Sequence, residues 1–207
     1  MYFASLCAVY ALFESIGAFG YLLPGELRNV VTILGSRNGG PFGSWRDNQY
    51  CPRSTYAVGY QIKVEQSVGS HDDDTALNGI SLVCANLDGE GFGTVSSGFE
   101  QFGSWYGIAT CPHGLFMIQF NFRVEPYLGH GDDDTTANDI EFICDRSPNT
   151  QAVIHAPEGT TWGSWALSSA CPLNSGICGI QTKIESYLSH NEDDTTLNDV
   201  KMFCCDD

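Results

Sequence analysis

Basic residues are scarce in this chain of 207 residues: nine Lys and Arg stand against 25 Asp and Glu, a formal net charge of −16. That shortage excludes nucleic acid as a default partner, and an anionic membrane face with it, because a surface this negative repels both over a Debye length. Charged residues of either sign are few, 16% of the chain, beside 43% hydrophobic and 12% aromatic residues. A disordered chain is thereby ruled out and a packed one described. No apolar run reaches the ~20 residues that a membrane-spanning helix needs, so no membrane insertion is expected. No stretch of useful length repeats its apolar residues with a helical period. The chain has no Asn-x-Ser/Thr sequon, Gly-x-Ser-x-Gly elbow, nucleotide-binding loop or His-Glu-x-x-His motif. N-glycosylation and the corresponding enzyme chemistries therefore lack a sequence basis. What is plentiful is glycine, 23 residues, and cysteine, nine. Both lean towards an all-β, disulfide-bonded, extracellular chain.

The odd cysteine is explained at the N-terminus. Tyr2 to Phe13 form an apolar stretch, followed by the small residues of Gly17-Ala18-Phe19-Gly20. This pattern predicts a secretory signal peptide over residues 1–20, although no Lys or Arg precedes the apolar run. Its removal discards Cys7 and leaves eight cysteines, an even number suited to a secreted protein.

A threefold internal repeat is the strongest signal. Cys51-Pro52, Cys111-Pro112 and Cys171-Pro172 are spaced by sixty residues, and each is followed thirty-three residues later by Cys84, Cys144 or Cys204. Eight residues before each Cys-Pro stands Gly-Ser-Trp, ending at Trp45, Trp105 and Trp165. Residues 43–84, 103–144 and 163–204 align without a gap, and eleven of the forty-two columns are identical in all three. The period fixes a single domain over 21–207 made of three repeats, about 30–85, 90–145 and 150–205. Inside each unit the apolar period is two: Tyr56, Val58, Tyr60, Ile62 and Val64 alternate with Ala57, Gly59, Gln61, Lys63 and Glu65. The second copy repeats this with Phe116, Ile118, Phe120, Phe122 and Val124. These are half-buried strands with one face to a core. Ile80–Cys84 and its counterparts at 140–144 and 200–204 give a second strand per unit, and Val30–Leu34 and Ala152–His155 supply a further one. Three internally stapled units suggest three sheets around a pseudo-threefold axis. A β-trefoil is the rival threefold fold, but a strand-to-strand disulfide per sixty residues suits a small four-stranded sheet better.

The Gly-Ser-Trp … Cys-Pro … Lys-Val-Glu … Asp-Asp-Thr-Ala-Leu-Asn-Gly-Ile … Cys pattern resembles the vitelline membrane outer layer protein 1 family, over essentially the whole mature chain and three times over. The resemblance implies an all-β fold, a β-prism of three Greek-key four-stranded antiparallel sheets with pseudo-threefold symmetry and four disulfides. It also implies a secreted protein of an egg-coat type that associates with mucin-type glycoproteins, and it links the family to transfer activity on N-acetylchito-oligosaccharides.

If the repeat is structural, each unit bonds its own pair: Cys51–Cys84, Cys111–Cys144 and Cys171–Cys204. Each closes a loop worth ~3–4 kcal/mol in the chain-entropy model. Cys178 and Cys205 remain, and pair by elimination. Cys178 aligns with Val58 and Ile118 and is therefore expected to face the core. The exchanged pairing, Cys171–Cys205 with Cys178–Cys204, stands as the alternative, because adjacent cysteines can exchange roles. No Cys-x₂-Cys pair exists and the histidines are not at ligand spacing, so no metal and no cofactor is expected.

The candidate binding residues are the acidic stretches and one tryptophan. Asp72-Asp73-Asp74, Asp132-Asp133-Asp134 and Glu192-Asp193-Asp194 each precede a threonine and, four residues on from the last acid, Asn78, Asn138 or Asn198. Their contiguous carboxylates lack the alternation of an EF-hand loop, so an Asx-type turn is the expectation, with a weak cation site as the alternative. Lys63/Glu65, Arg123/Glu125 and Lys183/Glu185 lie two residues apart on one strand face. Glu65, Glu125 and Glu185 are the only catalytic candidates, for glycoside chemistry that needs a carboxyl pair. Their presence in every repeat favours exposed charge pairs that maintain the fold, because an active site forms once. The same reasoning assigns Trp45, Trp105 and Trp165 to core or sheet-end packing, the alternative being a sugar-stacking platform that includes Trp162.

These readings describe a non-catalytic structural or binding protein of an extracellular coat, matrix or mucous secretion, whose partners are mucin-type glycoproteins or their glycans. The alternative is a carbohydrate-binding or N-acetylchito-oligosaccharide-processing protein that transfers glycosyl groups.

Overall fold

The computed structural model describes residues 28–66, 75–127, 135–146, 150–186 and 195–207. The expected signal peptide and the three acidic stretches lie outside them. Among the described residues fourteen strands are formed: β1 Val30–Gly35, β2 Ser44–Trp45, β3 Gln49–Tyr50, β4 Tyr56–Val64, β5 Leu77–Ala85, β6 Gly91–Val95 and β7 Ser104–Trp105, followed by β8 Ala109–Thr110, β9 Phe116–Val124, β10 Ala137–Asp145, β11 Ala152–His155, β12 Ser164–Leu167, β13 Gly176–Ile184 and β14 Leu197–Cys205. All pairings are antiparallel. They make three sheets in the orders β6-β5-β4-β7, β11-β10-β9-β12 and β1-β14-β13-β2, with the short β8 and β3 also on β4 and β13. The first two sheets thus follow the fourth-first-second-third order of a Greek key, and the third does so when the chain is read cyclically, from β13 and β14 on to β1 and β2.

The sheets are not the sequence repeats. Each is a central hairpin from one unit completed by the leading strands of the next, and the third hairpin, β13–β14, is completed by β1, β2 and β3 from the start of the chain. The ring therefore closes through non-covalent pairing of the first described strand with the last, from Val30↔Cys205 to Gly35↔Lys201.

The inward faces share one core. Tyr60, Ile62, Ile80 and Leu82 meet Phe120, Phe122, Ile140 and Phe142 and, from the third sheet, Ile180, Val200 and Met202, all wholly buried. The Tyr60 hydroxyl crosses between sheets, donating to the Ile140 carbonyl at 2.7 Å and accepting from the Ala156 N–H at 2.7 Å. Burial raises its pKa above the ordinary phenol value.

One detail of the expected pattern is overturned. In each central hairpin the ladder slips by one residue, between Ala57 and Gly59, at Met117–Gln119 opposite Cys144 and Ile143, and between Ile177 and Gly179. A β-bulge turns the extra residue away from its alternation. Ala57, Met117 and Ile177 therefore enter the core, while Val58, Ile118 and Cys178 join a second cluster with Tyr56, Phe116, Phe203 and Cys205. Cys178 is buried, but not in the central core.

The disulfides are Cys51–Cys84, Cys111–Cys144, Cys171–Cys204 and Cys178–Cys205. The exchanged pairing is not adopted, because Cys178 on its bulge lies on the side of β13 away from Cys204.

Candidate functional site

Strands β4, β9 and β13 start at one end of the prism, and their first residues are equivalent: Tyr56, Phe116 and Gly176. The Tyr56 and Phe116 rings stack with centroids 4.9 Å apart. Gly176 is what makes room for them, since a Cβ there would lie 2.4 Å from Phe116 Cδ2. This stack floors two adjoining clefts. The larger, about 800 Å³, is walled by the Cys171–Ser175 turn with the exposed Leu173, and by Asp145, Arg146 and Gln151. The smaller, about 270 Å³, is walled by the Cys111–Leu115 turn and by Ala85 to Leu87. Both combine ring and leucine surface with a few polar groups, the composition of small-ligand sites.

The third equivalent position is filled. Arg28, nearly buried, inserts its Nη1 among the carbonyls of Cys51, Pro52 and Thr55 at 2.8, 2.7 and 3.0 Å. Its Nε donates to Asp207 Oδ1 at 2.9 Å, and its guanidinium carbon lies 5.7 Å from the centre of the Tyr56 ring. Tyr56 in turn donates to the Asp207 backbone carbonyl. Burial pushes the Asp207 carboxyl up, but the hydrogen bond and charge of Arg28, with bonds from Asn29 and Arg53, outweigh it and hold the group below its ordinary value.

The three candidate glutamates lie at the opposite end and line neither cleft. Glu65, Glu125 and Glu185 accept from the hydroxyls of Thr75, Thr135 and Thr195 at 2.6, 2.8 and 2.5 Å. Asn78, Asn138 and Asn198 close the same turns, each donating to that threonine's Oγ1 and to the carbonyl one residue further on. The turn is therefore pinned by Glu, Thr and Asn, with Ala76, Thr136 and Thr196 at positive φ, 48°, 49° and 41°.

The basic partners are not the exposed members of charge pairs. Lys63 is 7% exposed and donates to the Glu100 carbonyl at 2.7 Å, and burial lowers its pKa against the pull of Glu100 and Glu65. Lys183 holds the carbonyls of Gly40 and Pro41. Arg123 reaches the Gly163 carbonyl and lies over Trp165. Each thus fastens the incoming loop of the next unit.

The tryptophans are on the outer faces rather than in the core. Trp45, Trp105 and Trp165 pair across strands with Lys183, Lys63 and Arg123 and are half-buried or exposed. Lys201 Nζ sits 3.8 Å from the centre of the Trp45 ring. Trp162 is 56% exposed. Beside Trp165, the exposed His155 bonds the buried Asp139 carboxylate at 2.8 Å. Burial raises the Asp139 pKa against the opposing effect of His155. Among the described residues no cluster of His, Cys, Asp and Glu is built to hold a metal ion.

Sequence reasoning missed Tyr56, Phe116, Arg28 and Asp207 as parts of a site. The signal it had was the break in an otherwise repeated column, Tyr-Phe-Gly at 56, 116 and 176.

Three Greek-key sheets around a shared core, with clefts at one end of the axis, define a β-prism protein. Solved structures of the same fold include the Calystegia sepium agglutinin, with a TM-score of 0.51 and 16% identity, covering 84% of this chain and 95% of that one. Artocarpin in complex with mannopentose gives a TM-score of 0.52 and 11% identity, over 85% of this chain and 97% of that one. At such identities the likeness shows the fold alone.

The sequence narrows the class. Residues 32–207 match the family model described as vitelline membrane outer layer protein I. The vitelline membrane outer layer protein 1 homolog of Mus musculus is 37% identical over 177 residues, 84% of each chain. That of Homo sapiens is 38% identical over 182 residues, 86% of this chain and 85% of that one. The chain belongs to the vitelline membrane outer layer protein I family.

Proposed function

We propose that this protein is a secreted, non-catalytic component of an extracellular coat, matrix or mucous secretion, which holds mucin-type glycoproteins through their glycans. One observation carries the reading: the cleft of about 800 Å³ offers ring and leucine faces beside Gln151, Asn174 and Ser175. Apolar surface next to convergent hydrogen-bonding groups suits the C–H face and the hydroxyls of a pyranose ring. The family supports the extracellular setting, and mannose-type ligands in β-prism relatives support glycan recognition, although fold by itself carries no function. The absence of catalysis rests on the three glutamates, each of which is bonded within its own turn in the same way.

The test is retention of the disulfide-bonded protein on immobilised mucin before and after enzymatic removal of the glycans. Binding should be saturable, should disappear with the glycans, and should fall at least about fivefold in Leu173→Glu and Gln151→Ala, the loss of one or two ordinary contacts. N-acetylchito-oligosaccharides incubated with the protein should be recovered unchanged. Equal retention on stripped mucin would remove the glycan reading, and new oligomer lengths would remove the non-catalytic one.

A further inference from the structure

The three Cys-Pro turns are copies of one backbone structure. Cys51, Cys111 and Cys171 each donate their N–H at 2.8 Å to the carbonyl of a bulge residue, Cys178, Val58 and Ile118 respectively. Thr55, Leu115 and Ser175 each donate to the proline carbonyl three residues back, at 3.1, 3.0 and 3.1 Å. Ser54, Gly114 and Asn174, between them, all take positive φ, at 60°, 81° and 63°. Each turn is also fixed to its hairpin by a disulfide. Identical donors, spacing and backbone signs aim the equivalent carbonyls in the same way, so the cup that receives Arg28 from Cys51, Pro52 and Thr55 exists three times.

Its two other copies differ in what surrounds them. The cup at Cys171–Ser175 shares its cleft with Arg146, a cation of the chain's own. The cup at Cys111–Leu115 has neither lysine nor arginine among the residues lining its cleft. It does have the ring: Phe116 stands where Tyr56 faces Arg28. It lacks the carboxylate, since Leu87 occupies the place in the repeat that Asp207 holds in the third unit, and it has His113 on its wall where the first turn has Arg53.

We infer that the Cys111–Leu115 turn is a guanidinium-binding cup, which takes an arginine side chain of a partner protein over the Phe116 ring. The molecule itself shows that this backbone accepts such a group. A guanidinium supplies five N–H donors and a flat face, and so satisfies several carbonyls and an aromatic ring at once. A net charge of −16 draws basic proteins to the surface, and the cup gives one arginine a defined seat. The inference does not rest on the glycan reading: the clefts share Tyr56, Phe116 and Leu87, but the carbonyls of the Cys111–Leu115 turn belong to the smaller one, and the peptide that tests them carries no glycan.

The experiment titrates the full disulfide-bonded protein with an acetyl-Gly-Arg-Gly-amide peptide and with the same peptide carrying citrulline, a neutral isostere, while recording backbone amide resonances. The arginine peptide should shift Cys111, Gly114, Leu115 and Phe116 saturably, and the citrulline peptide should not. Leu87→Asp, a change at a partly exposed side chain, restores the carboxylate of the occupied copy and should tighten the arginine peptide about tenfold, as one charge-assisted bond does. Equal shifts from both peptides, shifts confined to residues outside this cleft, or no tightening in Leu87→Asp would overturn the inference.

Discussion

Thr182 occupies the place of Ile62 and Phe122 on the inward face of the third sheet, is wholly buried, and has no partner for its hydroxyl. A buried hydroxyl without a hydrogen bond costs free energy that an isosteric methyl does not. Thr182→Val is therefore expected to stabilise the protein by about 1 kcal/mol, read as a higher urea midpoint at unchanged slope. A lower midpoint would mean that the hydroxyl is satisfied in solution. Departures from the repeat elsewhere are compensated in pairs. Asp139 and Asp199 face Gly159 and Gly39, whereas Gly79 faces Phe99, whose Cβ would lie 2.5 Å from any Cβ at 79. The two columns, Gly-Asp-Asp and Gly-Phe-Gly, could be read from the chain, but their contact could not, because it joins residues of neighbouring units.

At the scale of the strand and its hairpin, the period of two located β4, β9 and β13, and the repeat supplied the disulfide partners. The bulges stayed hidden for a physical reason. Ala57-Val58, Met117-Ile118 and Ile177-Cys178 are apolar at both positions, so alternation counts equally well with or without a slip. The allocation of strands to sheets stayed hidden too, since a repeat can be cut anywhere along its period and hydrogen bonds alone decide which cut the sheets follow. The fourth disulfide sits on the third of these bulges, and the first unit has Val58 and Ala85 where Cys178 and Cys205 stand. Replacing Cys178 by Val and Cys205 by Ala together keeps the volume and removes the crosslink. The chain-entropy model gives a loss of about 3–4 kcal/mol for a loop of this length, measurable by denaturant unfolding. An unchanged midpoint would show that the Cys171–Cys204 bond already restrains this hairpin fully.

The whole ring is fastened where its first and last described strands pair, and the clasp of Arg28 and Asp207 makes its stability depend on pH. A carboxyl held below its ordinary value in the folded state stabilises that state above the unfolded value, and the contribution is lost as pH falls through the folded value. Asp207→Asn should therefore cost about 2 kcal/mol near neutral pH, and the gap to the unaltered protein should close below the ordinary carboxylate range. A gap that persists in strong acid would assign the loss to packing. The exchange of leading strands reaches further than stability. One sixty-residue unit alone would have a hairpin with bare edges and leading strands with nothing to lie on, so it could not fold as a monomer. Three separate copies, each passing its leading strands to a neighbour, would leave none unpaired. The chain has the form of such a cyclic trimer carried on one chain, with Arg28 and Asp207 in contact where the third hairpin takes up the leading strands of the first unit.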